Sequence, residues 1–468
     1  MPPMIQVDTL AYAAFTLDKP PLYGCFLRLF SPVSAVIVQH LLVLCAALIL
    51  YATVRSAANR QAGLAAGLLV AAYPGFVLAG NELMSESLFL FLLALHLGVL
   101  WLAICRKSAW WFFFAGATAG LAANVRAVFQ QQALVVALGL APLFVARRDL
   151  KRFAALVAAL FGGFLVVCVP TVARVYLLTG RCVPLSTIFP NVLILRMLTE
   201  QDAPVAEVPV DNAVLAALRD YLSGLGKTDP ALLHAHPLGY ICANILPSGR
   251  NSEAIASSYV VSLWKLYVRH FPAAYLRHSC QLLLSNLAFR EDWIGAYLFS
   301  RDTLARDWVF EGPNKEDYRA ELSRLKQPSM DALASLDAFY NLVGSLFLFG
   351  PALILIVLAL DFIIVLVPKI AMATAGGRRW LASASAETAG LFLPGGTVRA
   401  YWLIAYATAT FTYVPIFLIN ESVWRFRLPF DLVFFLVLGR VFARVRDAIA
   451  MFARRVTAKP RRLPVGER

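Results

Sequence analysis

The side chains best suited to chemistry cluster at the start of the chain, in Asp8-Thr-Leu-Ala-Tyr12 and Asp18-Lys-Pro-Pro-Leu-Tyr23. Carboxylates, a cation and a rigid Pro-Pro turn stand together there, just before an apolar run that begins at Pro32. A carboxylate at a membrane–water boundary can take a proton from a hydroxyl, and a neighbouring lysine can hold a phosphate as a compact point charge. Asp8 is the candidate base, with Tyr12 one helical turn further on as an orienting partner. Asp18 is the second candidate acid, although its place before Pro20 also suits turn formation. Pro20 and Pro21 restrict the backbone and would fix where Lys19 points.

Further along, charged side chains stand where charge is costly. Glu86 opens an apolar run, and a carboxylate deep in a span costs roughly 2.5–3.5 kcal/mol unless it is paired or wet. It is a candidate to bind an acceptor, a metal or an arginine. Glu82, four residues earlier, would share a helical face with it, or would simply be a favourable charge near a helix N-terminus. Arg126 lies at the outer end of its span, and Arg425 and Arg427 precede Pro429, all on the side where few cations are expected. A guanidinium can grip phosphate oxygens in two places, so these three join Lys19 as candidate phosphate ligands. For Arg126 a salt bridge to Glu86 is equally open.

Seven cysteines (Cys25, Cys45, Cys105, Cys168, Cys182, Cys242 and Cys280) contain no CxxC pair, so no metal knuckle is read. Cys25, Cys182, Cys242 and Cys280 fall in segments placed outside, where a disulfide could form. His234 and His236 have no third ligand near them in sequence, and a surface role suits them better than zinc. His270 and His278 are expected to pack at an interface, and His40 and His96 to be hydrogen-bonded residues within spans. No metal site and no cofactor are assigned; a divalent ion is neither required nor excluded by these residues.

The elements that must position these groups are membrane helices. Of the 468 residues 60% are hydrophobic and 15% charged, against roughly 25% charged in an average soluble domain. About nine apolar runs are long enough to cross a hydrocarbon core as helices. They are Pro32–Val54, Gln61–Ala79, Met84–Cys105, Ala109–Val128, Gln131–Ala146, Phe153–Leu178, Tyr340–Leu360 (continuing to Val367), Tyr401–Ile419 and Leu428–Val445. The net charge of +14 resides in short connecting segments and the tail, so it reports topology and not a nucleic-acid groove.

Arg55 and Arg60, then Arg106 and Lys107, then Arg147, Arg148, Lys151 and Arg152 fall on alternate boundaries. Lys369, Arg378, Arg379, Arg399 and the tail from Arg440 continue the series, and the positive-inside bias sends all of them to the cytoplasm. Gly80–Leu83, Phe129–Gln130, Thr179–Ala338 and Asn420–Arg427 are then extracytoplasmic. Met1–Phe30 also falls outside, with no helix to carry it across. Either it is translocated unaided or a first span precedes it, and the abrupt start without a signal peptide favours the second.

Five segments result: a catalytic loop over 1–31, a six-helix membrane core over 32–178, an extracytoplasmic domain over 179–338, three C-terminal spans over 339–446 and a basic cytoplasmic tail over 447–468. In the outer domain Ala213–Leu225 and Ala254–Leu287 carry apolar residues at helical spacing and predict amphipathic helices. Trp264, Tyr267, Phe271 and Tyr275 form one aromatic face, packed either on protein or on lipid.

With these residues in place, the chain resembles the GT-C superfamily of membrane glycosyltransferases, and within it the dolichyl-phosphate-mannose–protein mannosyltransferases and bacterial aminoarabinose transferases. Asp8-Thr-Leu-Ala-Tyr12 is similar to the family's first-loop acidic motif, and Asp18-Lys19-Pro20-Pro21-Leu22 to its Lys-Pro-Pro-Leu turn. Met84-Ser-Glu86-Ser-Leu88 is similar to an acidic element opening a later helix, and Glu421-Ser-Val-Trp-Arg425-Phe-Arg427-Leu-Pro429 to an Arg-Tyr-Arg-x-Pro element near the C-terminus. The resemblance spans Asp8–Val183 and Tyr401–Leu438 and is vague across the outer region. Only ten residues separate Asp8 from Lys19, fewer than in some members, which brings in Asp18 as the alternative acid.

The resemblance implies an all-α polytopic enzyme of the cell (inner) membrane with an extracytoplasmic site. It would move a sugar from a polyprenyl-phosphate donor to a lipid, glycan or protein acceptor, with membrane lipids as its other partners. Asp8, Asp18 and Glu86 would be its catalytic acids, and Lys19, Arg126, Arg425 and Arg427 would hold the donor phosphate. A carrier or flippase of an anionic polyprenyl lipid is the alternative. A carrier would be expected to show inverted repeats, and no such symmetry is evident in the sequence. A catalytically inactive scaffold of the same fold is a third reading.

Overall fold

The computed structural model describes residues 20–145, 149–179, 207–210, 213–225 and 252–288. It adds single positions at Leu193, Met197, Ser335, Ala338, Tyr401, Ile404, Ala405, Thr408, Leu432, Phe435 and Leu436. The described residues are helical, with no strand among them.

A short helix α1 (Pro21–Leu29) leads into α2 (Pro32–Ala57), whose start is set by Ser31: its hydroxyl accepts from the Ser34 amide at 3.3 Å, with Pro32 at the first helical position. Asn59 ends the turn and caps α3 (Arg60–Ala72) by accepting from the Ala62 amide at 2.9 Å. Next come α4 (Pro74–Asn81) and α5 (Glu86–Arg106). Lys107 closes α5 in the left-handed region, φ 52°. They are followed by α6 (Ala109–Ala123), a 3₁₀ turn at Ala127–Phe129, α7 (Gln132–Val145) and α8 (Leu150–Thr179).

Each of the six spans expected before residue 179 meets a helix, with two corrections. Gln61–Ala79 is not continuous, because it divides into α3 and α4 at Tyr73, which sits in extended conformation before Pro74. Ala109–Val128 ends at Ala123, where the Asn124 side chain donates to the Gly120 carbonyl at 2.9 Å and competes with helix propagation.

Three described helices, Pro32–Ala57, Glu86–Arg106 and Leu150–Leu177, are long and apolar enough to cross a membrane, and the pair α3–α4, bent by 47°, adds a fourth when taken as one broken span. On α2, Ile37, Leu41, Leu44 and Leu48 form an outward stripe, each half exposed or more, which suits a lipid-facing surface. The run Tyr340–Leu360 and the tail over 447–468 lie outside the described residues, as does any helix before Met1. Of the last two expected spans, Tyr401, Ile404 and Ala405, and Leu432, Phe435 and Leu436, are helical positions buried in the core formed by α1–α8.

The tightest packing joins α6 to α8. A Cβ on Gly116 would overlap the Leu160 carbonyl oxygen, and one on Gly163 would overlap that of Phe113, so only glycine lets these backbones meet.

Helices α9 (Ala213–Leu225), α10 (Ser252–His270) and α11 (Pro272–Ala288) build a separate cluster with Leu193, Met197 and Val208. The expected helix over Ala254–Leu287 is thus two helices, broken at Phe271 before Pro272. Its aromatic face packs on protein: Tyr267 and Tyr275 are buried, and the Trp264 and Tyr275 rings meet edge-on at 6.1 Å.

Candidate active site

Glu86 is the first residue of α5, one turn past the end of α4. The end of α4 leaves backbone carbonyls without helical partners, and two side chains take them up. The Ser87 hydroxyl donates to Ala79 O at 2.7 Å, while the Gln39 amide of α2 donates to Gly80 O at 3.1 Å and Glu82 O at 2.6 Å. A tight turn, Met84 N–H to Glu82 O at 2.8 Å, then reverses the chain into α5. Glu82 therefore sits outside both helices and is buried, so it does not share a helical face with Glu86 as its spacing suggests.

Arg126 reaches the same place from the other side. Because α6 stops at Ala123, Arg126 lies in the following loop in extended conformation and not at a helix end. Its backbone is held by an N–H bond to Ala122 O at 2.9 Å and by Phe129 N–H donating to its carbonyl at 3.1 Å. Nη1 donates to Glu86 Oε1 at 2.9 Å, and the guanidinium lies 5.9 Å from the centre of the Phe89 ring.

The pair is sheltered, with side-chain exposures of 10% for Arg126 and 1% for Glu86. Glu86 Oε2 is buried and has no hydrogen-bond partner among the described residues. A buried carboxylate oxygen in that position favours a hydrogen-bond donor from another molecule, since the bond from Arg126 satisfies only the other oxygen. Beside it stands a cation geometrically suited to an anion.

The segment after Lys19 comes to the same place. Pro20 is buried, and Leu22 N–H in α1 donates to the Asn124 carbonyl at 3.2 Å, two residues before Arg126. The Tyr23 hydroxyl donates to Gln39 Oε1 at 2.7 Å, which joins α1 to the turn preceding Glu86. Asn124 also receives the Thr171 hydroxyl on its side-chain oxygen and donates to Val167 O at 3.3 Å, tying this loop to α8.

The opposite ends of these helices carry Arg55, Arg106, Lys107 and Arg152. There Trp101 Nε1 donates to Ser56 Oγ at 3.0 Å, beside Arg55, and Arg152 Nη2 donates to Lys107 O at 3.3 Å. The Glu86–Arg126 pair is thus at the end of the bundle remote from Arg55, Arg106, Lys107 and Arg152.

Of the candidate residues, then, Glu86 and Arg126 are in contact. Asp8, Asp18, Lys19, Arg425 and Arg427 lie outside the described residues, as do His234, His236, Cys182 and Cys242. Cys25, Cys45, Cys105, Cys168 and Cys280 are free thiols. Among the described residues no three His, Cys, Asp or Glu side chains come together as a metal site.

Sequence reading passed over Gln39, Asn124 and Gln132, all buried amides in apolar surroundings. The signal was available, because a buried amide within a membrane helix demands partners. Gln132 serves His96: His96 Nδ1 lies 3.0 Å from Ala115 O and donates to it, so Nε2 accepts from the Gln132 amide at 3.2 Å. The same amide nitrogen donates to Thr408 Oγ1 at 2.7 Å. His96 is a hydrogen-bonded core residue, as its position within a span leads one to expect. His40, half-buried, lies 3.4 Å from Asn81 Oδ1 and fills the space over Gly80.

No curated protein and no solved structure matches the chain. Residues 18–173, one third of its length, match the family model described as dolichyl-phosphate-mannose-protein mannosyltransferase. Both α1 and the Glu86–Arg126 pair fall inside that stretch, which by this match is related to a family of membrane glycosyltransferases of the GT-C type.

Proposed function

We propose that the protein transfers a sugar from a polyprenyl-phosphate donor to a hydroxyl-bearing acceptor on the extracytoplasmic face of the cell membrane. The observation that carries the proposal is the buried ion pair of Glu86 and Arg126, joined through Asn124 and Gln39 to the segment that follows Lys19. An acid with an open acceptor oxygen and a cation side by side, inside the family-matched stretch, is what displacement at an anomeric carbon calls for.

In this reading Asp8, or Asp18 in its place, takes the proton of the acceptor hydroxyl. The acceptor oxygen bonds to the anomeric carbon as the carbon–oxygen bond to phosphate breaks, and that electron pair leaves with the phosphate. Lys19, Arg126, Arg425 and Arg427 stabilise the negative charge that gathers there. Glu86 orients Arg126 and offers Oε2 to a sugar or acceptor hydroxyl. The extracytoplasmic assignment is supported by the pair's location opposite the basic helix ends, which the positive-inside bias sends to the cytoplasm. The outer segment 179–338 and its amphipathic helices would then lie on the same side as the site.

Transfer of a radiolabelled hexose or pentose from synthetic polyprenyl phosphate, in proteoliposomes of the purified full chain, tests the reading. Activity lost in Asp8→Asn and well below wild type in Arg126→Lys, with folding intact, is the expected result. Lipid movement between leaflets that persists in Asp8→Asn, with no sugar transferred, would replace the transferase by a carrier.

A further inference from the structure

Gln39 is a fully buried amide near the N-terminal end of α2, and its side chain meets two elements. Toward α1, its oxygen accepts the hydroxyl of Tyr23, itself fully buried, at 2.7 Å. Toward the turn before Glu86, its nitrogen donates to the carbonyls of Gly80 at 3.1 Å and Glu82 at 2.6 Å, with Ala79 O at 3.4 Å. A glutamine amide has two donors and one carbonyl, and here all are engaged. Leucine in its place would keep the apolar packing and lose both ties.

We propose that Gln39, with Tyr23, is a positioning residue for the transfer site: it sets the register between the segment following Lys19 and the turn that presents Glu86. The inference rests on the transferase reading above. Three features support a positioning role over mere core filling. The shortest bond, 2.6 Å, runs to the Glu82 carbonyl in the turn that delivers Glu86. The second anchor of α1, Leu22 N–H to Asn124 O at 3.2 Å, runs to the loop that delivers Arg126. Tyr23 stacks on Phe26 at 5.5 Å within α1, so the hydroxyl's anchor bears on the whole helix and not on one side chain.

With α1 held by Gln39 of α2 and by the loop that bears Arg126, a shift of α1 would move its first residues relative to the Glu86–Arg126 pair. Neither Gln39 nor Tyr23 touches reacting atoms in this arrangement; both act through the groups they hold. Misplacement of about 1 Å can cost on the order of 100-fold in rate without loss of fold.

The test compares wild type, Tyr23→Phe and Gln39→Leu in the full chain. Tyr23→Phe removes one hydroxyl from a stacked ring, so it keeps the packing should Gln39→Leu fail to fold. Transfer from polyprenyl-phosphate sugar in proteoliposomes is read as kcat and KM separately, alongside hydrogen exchange of the 21–29 peptide. A positioning role gives faster exchange across α1 and a kcat at least about 10-fold lower in Tyr23→Phe at an unchanged melting temperature, with the double variant no worse than Gln39→Leu alone. Unchanged kcat in Tyr23→Phe, or unchanged exchange in α1, overturns the proposal while leaving the transferase reading in place. A wild-type chain that transfers no sugar overturns the transferase reading instead, and exchange in α1 alone then decides whether the tie through Gln39 holds that helix.

Discussion

Glu86 Oε1 and Arg126 Nη1 meet at 2.9 Å across forty positions of sequence, at the same end of the helix bundle and with the glutamate almost wholly buried. Neither residue sits in the middle of a helix: one opens α5 and the other lies in the loop after α6. Both depend on backbone that departs from regular helix, and buried amides hold that backbone in place.

Breaking this pair on one side should destabilise the protein strongly. Glu86→Leu or Arg126→Leu leaves a buried charge without its partner, a loss of about 3–5 kcal/mol. Glu86→Leu combined with Arg126→Leu should cost less than the sum of the two. Thermal unfolding of the three variants in detergent, analysed as a double-mutant cycle, measures the coupling. Strict additivity would mean the contact contributes nothing.

Arg126→Lys separates charge from geometry. Lysine keeps the cation but cannot offer a planar fork to a carboxylate and an anion together. Folding should be close to wild type by size-exclusion profile, with donor turnover well below it. Full turnover would show that a point charge suffices.

At the proposed base, Asp8→Asn should lower transfer by roughly 100-fold to 10,000-fold, the usual contribution of a positioned proton acceptor. Donor binding should persist, and Asp18→Asn should have the smaller effect. If the Asp18 variant alone abolishes transfer, the two acids exchange roles.

The α6–α8 contact should tolerate no side chain. Gly163→Leu forces a side chain into the Phe113 carbonyl and should abolish monodisperse protein. At Gly162, next to it, an added Cβ meets nothing within 4 Å, so Gly162→Ala serves as the control. Chromatography of fluorescent fusions reads both in one experiment.

Within the core, His96 and Gln132 should couple modestly. Hydrogen bonds between membrane helices average about 0.6 kcal/mol in double-mutant cycles, because the unfolded chain finds other partners. Replacing Gln132 with leucine deprives both His96 Nε2 and Thr408 Oγ1 of a donor. Its effect on stability should therefore exceed that of Thr408→Val.

Much of the architecture was legible in the sequence, because a hydrocarbon environment leaves a chain few options. Every backbone polar group must be satisfied internally, so each apolar run from Pro32 to Leu178 had to be helical, and the alternation of basic boundaries set which ends face together. Glu86 and Arg126 were conspicuous for the same reason, as charges out of place in apolar or outward-facing surroundings. What the sequence did not fix was where helices stop: the break at Tyr73, the end of α6 at Ala123 and the turn over Glu82–Ser85. The break at Tyr73 follows from Pro74, whereas the end of α6 and the turn over Glu82–Ser85 depend on Asn124, Gln39 and Ser87 taking up carbonyls that include those of other segments, partners that only the folded bundle supplies. Local composition thus determined that there would be membrane helices with acids and cations near one end. The tertiary contacts decided that Glu86 would face Arg126 and not Glu82, because a side-chain pairing across forty residues depends on the directions of two loops, which no local pattern encodes.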